Sequence, residues 1–197
     1  MIKKILKAKH WHLFILTFGI PMIFQIAIMV FILANIGRGN NPDPLVMFGY
    51  FKFFPIIIIL YMGTQFSWLW SVAIGLQSKV PEKMKMKVKK FKIFFFIPVV
   101  YLVSICILIS IAIDGLMKSG QEPNFALIIS LVAVIIPLHL FSIFCIFYSL
   151  YFVAKTFKTV ELQREVNFSD FAGEFFMIWF YPIGVWIIQP KINTMVE

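Results

Sequence analysis

Four long apolar stretches, at residues 13–34, 51–76, 93–113 and 125–153, are the feature that most limits what this chain can fold into. A helix needs about 20 apolar residues to cross a hydrocarbon core of about 30 Å, and each stretch is long enough. Of the 197 residues, 61% are hydrophobic and only 14% are charged, whereas soluble domains are about 45–50% apolar and about 25% charged. We therefore predict an all-α integral membrane protein built on a bundle of four transmembrane helices.

A run of lysines between the second and third stretches sets the predicted topology. The run, KVPEKMKMKVKKFK, holds one acid, Glu82, and the lysines Lys79, Lys83, Lys85, Lys87, Lys89, Lys90 and Lys92. Basic loops stay on the cytoplasmic side of a membrane. All but three of the 18 Lys and Arg residues lie in this loop or near the two termini, so we predict that both termini are cytoplasmic. The loop would meet anionic lipid of the inner leaflet, and this placement of the net charge of +9 argues against nucleic acid as a partner.

The N-terminus, MIKKILKAKHWH, resembles the basic region of a signal peptide. The apolar run behind it is too long for one, and no small-residue cleavage pattern follows, so we predict a retained first helix. Pro21 lies inside that helix and removes a backbone hydrogen bond, which predicts a kink.

Small residues recur every four positions along the second helix, at Gly63, Ser67, Ser71 and Gly75. Residues at this spacing share one helix face, and small side chains there let two helix backbones approach closely inside lipid. The pattern predicts either packing against another helix of the same chain or a subunit interface.

The side chains of Gln25, Gln65 and His139 fall inside the apolar stretches, which hold no Asp, Glu, Lys or Arg near their centres. The lack of buried charge argues against an ion-coupled transporter. The two glutamines predict hydrogen bonds between helices or the lining of a polar pore, and His139 predicts a structural hydrogen bond or a gating group. Since one histidine is not a metal site and no catalytic or phosphate-binding motif is present, we predict no cofactor.

The C-terminal tail, residues 156–197, differs from the four-helix domain at 1–155. It begins as a helical continuation of the fourth span, and Asn167 and Ser169 are candidate caps for a further helix. Pro182 and Gly184 then interrupt an aromatic segment at 171–188, which predicts an interfacial or re-entrant element rather than a fifth span. The tail residues expected to anchor it in the membrane or to dock a partner are Glu174, Trp179, Trp186 and Gln189.

Residues 174–193, EFFMIWFYPIGVWIIQPKIN, resemble a C-terminal signature of small, uncharacterised bacterial four-span membrane proteins. The resemblance implies a bacterial inner-membrane protein and carries no known chemistry. In size and layout alone, the chain is also similar to small accessory or effector subunits of phage-defence and RNA-targeting CRISPR loci.

These patterns favour a non-enzymatic membrane scaffold or accessory subunit that self-associates or docks a partner at its cytoplasmic face. The alternative is an oligomeric pore whose lumen would be lined by the intramembrane polar residues. A lipid-acting enzyme is a third possibility, because Asp170 and Glu174 lie one helical turn apart.

Overall fold

The structure of the protein, a computed structural model, describes residues 1–37, 54–119 and 125–197. These residues are helical almost throughout and contain no strand. The helices are α1 (Ile2–Leu6), α2 (His10–Phe14), α3 (Ile20–Gly37), α4 (Phe54–Gly75), α5 (Val88–Ser119), α6 (Phe125–Leu162), α7 (Phe168–Trp179) and α8 (Tyr181–Val196). A π-helical turn at Ile15–Gly19 joins α2 to α3, and a short 3-10 helix, Gln77–Lys79, follows α4.

Within the described residues, four segments are long and apolar enough to cross a membrane: His10–Ile36, Ile56–Lys79, Val88–Ala112 and Ile129–Leu162. They coincide with the four stretches predicted from composition, which confirms that the described chain is helical and has four helices of the length and composition of a span. The predicted start of the second helix, at residues 51–53, lies outside the described part of the chain.

The described chain forms two compact units. One comprises residues 1–84 together with 153–197, and the other comprises 85–152. The predicted domain boundary at residue 155 therefore falls inside α6, close to the junction between the units, and the tail groups with the N-terminal helices.

The break expected at Pro21 takes the form of the π-helical turn that precedes it. Proline cannot donate a backbone hydrogen bond and its ring presses on the carbonyl four residues earlier, and a π turn widens the helix locally. Thr17 lies within this turn and its hydroxyl donates to the Leu13 carbonyl over 2.7 Å. The first candidate span thus continues through its proline.

The aromatic tail forms two short helices, α7 of 12 residues and α8 of 16 residues, with Phe180 between them. Neither reaches the length of about 20 residues that a span requires, as predicted. Asn167 is the N-cap of α7, which confirms one of the two candidate caps, and its backbone N–H donates to the Asp170 carboxylate over 2.8 Å. The two helices pack closely at Gly184, where any side chain would run into the Met177 carbonyl.

Candidate functional site

A buried junction around Gln189 joins both ends of the chain to α4. The Gln189 side chain is fully buried, and its Oε1 accepts a hydrogen bond from Trp68 Nε1 over 2.6 Å. Its Nε2 donates to the carbonyls of Leu6 and Ala8, each over 2.9 Å. Asn193, one turn further along α8, donates to the same two carbonyls over 3.2 and 3.3 Å. Because α1 ends at Leu6, the carbonyls at and just after its end have no donors from the helix itself. The Gln189 and Asn193 side chains of α8 supply these donors.

Aromatic packing surrounds the junction. Trp68 is fully buried and its ring meets that of Tyr181 edge-on, with 5.2 Å between the centroids. Burial raises the pKa of the Tyr181 phenol well above its usual value, so the hydroxyl stays protonated at physiological pH. The junction is therefore a neutral, buried cluster that holds α4 and α8 together.

A chain of ion pairs links the end of α6 to the two tail helices. Lys158 Nζ lies 2.7 Å from Glu161 Oε2 and 2.7 Å from Glu174 Oε1. Glu161 Oε1 also accepts from Lys191 Nζ over 3.0 Å. Glu174 is only 9% exposed, so it is a buried anion with a cation beside it. We refer to these four side chains as the ion-pair network.

The two carboxylates considered as a possible catalytic pair have separate cations. Glu174 lies against Lys158, whereas Asp170 pairs with Arg164, whose Nη2 lies 2.9 Å from Asp170 Oδ1. The Arg164 guanidinium and the Asn167 N–H hold the pKa of Asp170 below its usual value. This arrangement stabilises the start of α7 and shows no shared proton between the two acids.

The lysine run is mostly exposed, and one member is engaged with the tail. Lys79 Nζ donates to the Met195 carbonyl, and the Lys79 carbonyl accepts from Gln163 Nε2 over 3.2 Å. Lys90, in the second unit, lies over an aromatic ring, 5.0 Å from the Tyr148 centroid. The other lysines of the run are exposed, namely Lys83, Lys85, Lys87, Lys89 and Lys92.

The small-residue face of α4 is divided between two environments. Ser71 is buried, and a Cβ added at Gly75 would lie 2.5 Å from a Leu6 methyl carbon and 2.8 Å from one of Ile2. This half packs against α1 of the same chain. Gly63 is exposed, and an added Cβ there would meet nothing within 4 Å.

The three polar residues predicted to lie within the spans differ in their surroundings, each described within its own unit. His139 is exposed and its Nδ1 lies 3.1 Å from the Tyr101 hydroxyl, so its partner is on α5. Gln25 is exposed on α3, whereas Gln65 is half-buried on α4. Among the residues that the structure describes, no three metal-binding side chains converge.

No family model matches the chain. Comparisons with curated proteins and with solved structures also find no significant match. The resemblance of the tail to small bacterial membrane proteins therefore stays a hypothesis, and any function must be argued from the chain's own geometry.

The predicted tail residues take two different positions. Trp179 and Trp186 are exposed, at 45% and 46%, and Trp186 lies 4.5 Å from the His10 ring, centroid to centroid. Gln189 was expected at a docking surface but is buried. Its amide accepts from the Trp68 N–H and donates to the Leu6 and Ala8 carbonyls. Sequence reasoning had assigned no specific role to Trp68, Lys158 or Asn193. Only Lys158 had a recognisable sequence signal, because it lies one helical turn before Glu161, a spacing that predicts an ion pair.

Proposed function

We propose that this protein is a non-enzymatic, multi-pass membrane scaffold that self-associates through the face of its first span that carries Gln25. The proposal includes a cytoplasmic location for both termini, argued from the distribution of basic residues. Assignment to a bacterial inner membrane rests on the tail resemblance alone.

The exposure of Gln25 carries the proposal. Gln25 lies near the middle of the His10–Ile36 segment. Only 6% of the most apolar part of this segment is buried. It is exposed, and no hydrogen bond links it to another described residue. An amide facing hydrocarbon without a partner is costly, and a glutamine on a second helix satisfies it. Two copies meeting at this face would pair the amides across the interface.

The tail assembly supports the scaffold part of the proposal. The Gln189 junction and the ion-pair network hold α1, α7 and α8 to the ends of α4 and α6. Rigid elements present a binding surface better than mobile ones, since less conformational entropy is lost on docking. Trp186, which is exposed on α8 of the same unit, could contact headgroups or a partner.

The test is the mass of the purified protein in lipid nanodiscs and its concentration-dependent association in detergent micelles. Gln25→Leu should weaken association about threefold to twentyfold, since hydrogen bonds between membrane helices contribute about 0.6–1.7 kcal/mol. Ser104→Leu on α5 is the matched control, because the Ser104 hydroxyl is already bonded to the Val100 carbonyl over 2.9 Å.

A wild-type protein that is monomeric at all concentrations would refute self-association. Equal weakening by Gln25→Leu and Ser104→Leu would show that the Gln25 face is not the interface. Cysteine cross-linking of Ile26→Cys, one residue from Gln25 and itself exposed, provides a second readout that does not depend on mass.

A further inference from the structure

A groove of about 390 Å³ runs along α4, beside α1 and the start of the first span. It is lined by Ile5, Leu13, Leu16, Ile59, Leu60, Gly63, Thr64 and Ser67. We propose that this groove binds one acyl chain of an anionic phospholipid, whose headgroup is held by Lys4 of α1. The proposal rests on the proposed function only in that the chain lies in a membrane.

The lining matches a hydrocarbon ligand. Six of the eight residues are apolar or glycine. The hydroxyl of Thr64 donates to the Leu60 carbonyl over 2.9 Å, so it is already satisfied within its own helix. A polar metabolite would find few partners in such a groove and would lose its hydration, whereas an acyl chain needs only van der Waals contact.

The groove is short. Its α4 lining runs from residue 59 to residue 67, which is about 12 Å of helix at 1.5 Å per residue. The groove is also open to the outside, since Leu16 and Ile59 are 41% and 56% exposed.

The charge at one end selects the headgroup. Ile5 forms the end of the groove on α1, and Lys3 and Lys4 of the same helix are exposed. Ile2 and Leu6 of α1 face Gly75 of α4. Because successive helical residues are about 100° apart, Lys4 lies on the side of α1 that faces away from α4, next to Ile5. No acidic residue lies among the first 37 residues, so this end attracts an anion such as a phosphate.

The experiment measures lipid retention on delipidated protein titrated with phosphatidylglycerol, and with phosphatidylcholine of the same acyl chains, by native mass spectrometry. Wild type should retain one phosphatidylglycerol per protomer in preference to phosphatidylcholine. Gly63→Leu places a side chain in the groove, and because an added Cβ there has no neighbour within 4 Å, we expect the fold to stay intact, which circular dichroism checks. The substitution should abolish the retained lipid of both kinds.

Two matched controls separate the groove from general effects. Gly115→Leu makes the same change on α5, also where an added Cβ has no neighbour within 4 Å, and should retain lipid as wild type does. The change Lys4→Gln should weaken phosphatidylglycerol retention about fivefold, since one basic residue near an anionic headgroup contributes about 1 kcal/mol. The same change at Lys83 and Lys85 should leave the single tightly held lipid in place.

Equal retention by Gly63→Leu and Gly115→Leu would overturn the proposal, as would equal retention of the two lipids by wild type. A change in the number of protomers with Gly63→Leu, without loss of lipid, would assign the groove to a second copy instead. The lipid count is read from each oligomeric state separately, so a wild type that never self-associates would refute the scaffold proposal and leave this measurement intact.

Discussion

Trp68 and Gln189 lie 121 residues apart in the sequence, yet the indole N–H of one donates to the amide oxygen of the other over 2.6 Å. The Nε2 of Gln189 also donates two hydrogen bonds, to the Leu6 and Ala8 carbonyls at the end of α1. One amide thereby connects the beginning, the middle and the end of the chain. Its cost of burial is offset because each of its polar groups has a partner.

Gln189→Leu should lower the free energy of unfolding by about 1–3 kcal/mol, since it leaves the buried Trp68 N–H without its partner. The Leu6 and Ala8 carbonyls keep Asn193 as a donor. Thermal unfolding in detergent micelles, followed by tryptophan fluorescence, measures the loss. Gln163→Leu is the matched control, because Gln163 is exposed and the loss of its hydrogen bond to the Lys79 carbonyl should cost less than the loss of a buried one. Similar losses for the two variants would contradict the role assigned to Gln189.

Lys158→Met should destabilise the protein by about 1–3 kcal/mol, because Glu174 and Glu161 then lose their shared cation in a partly buried site. The double variant Lys158→Met with Glu174→Met should recover part of that loss, since no anion is left at residue 174. A double-mutant cycle from chemical denaturation measures the coupling between the two residues. Strict additivity of the two single changes would show that the pair is not coupled.

The start of α7 should lose stability in acid. Because Arg164 and the Asn167 N–H lower the folded-state pKa of Asp170, its contribution is fully present above the unfolded-state value near 3.8 and is lost as the pH falls through the folded-state value. Asp170→Asn should therefore be less stable than wild type at neutral pH, and the difference should shrink at strongly acidic pH. Melting temperatures of both proteins across that range test this. A difference that does not change with pH would contradict it.

Two glycines on one face of α4 should respond differently to alanine. Gly63→Ala should stabilise by about 0.5–1 kcal/mol, the usual gain for glycine to alanine in a helix, because an added Cβ has no neighbour within 4 Å. Gly75→Ala should gain less or destabilise, because its Cβ would lie 2.5 Å from a Leu6 methyl carbon, which must move. Denaturant unfolding of the two variants measures the contrast, and an equal gain at both positions would mean that α1 does not pack at Gly75.

The four candidate spans and the α7 cap could be read from local patterns. Long apolar runs need only length and composition to be recognised, and Asn167 with Asp170 at the third helical position is a local capping signal. Local patterns could not predict that the Gly75 half of the small-residue face packs against α1 while Gly63 is exposed. Gly63 and Gly75 carry the same residue type on the same face, and what distinguishes them is α1, more than fifty residues earlier in the sequence.

The sequence by itself determined the helices, because helical hydrogen bonds and apolar length are properties of contiguous residues. It also determined the positions of the basic residues and that the tail is broken near Pro182, although the break lies at Phe180 and both Pro182 and Gly184 are inside α8. Only the tertiary structure decided that Gln189 is buried, that Glu174 lies against Lys158, and that α1 and α4 enclose an apolar groove. These depend on which distant segments meet, and a glutamine or a glutamate has the same sequence neighbours whether its partner is water or another side chain.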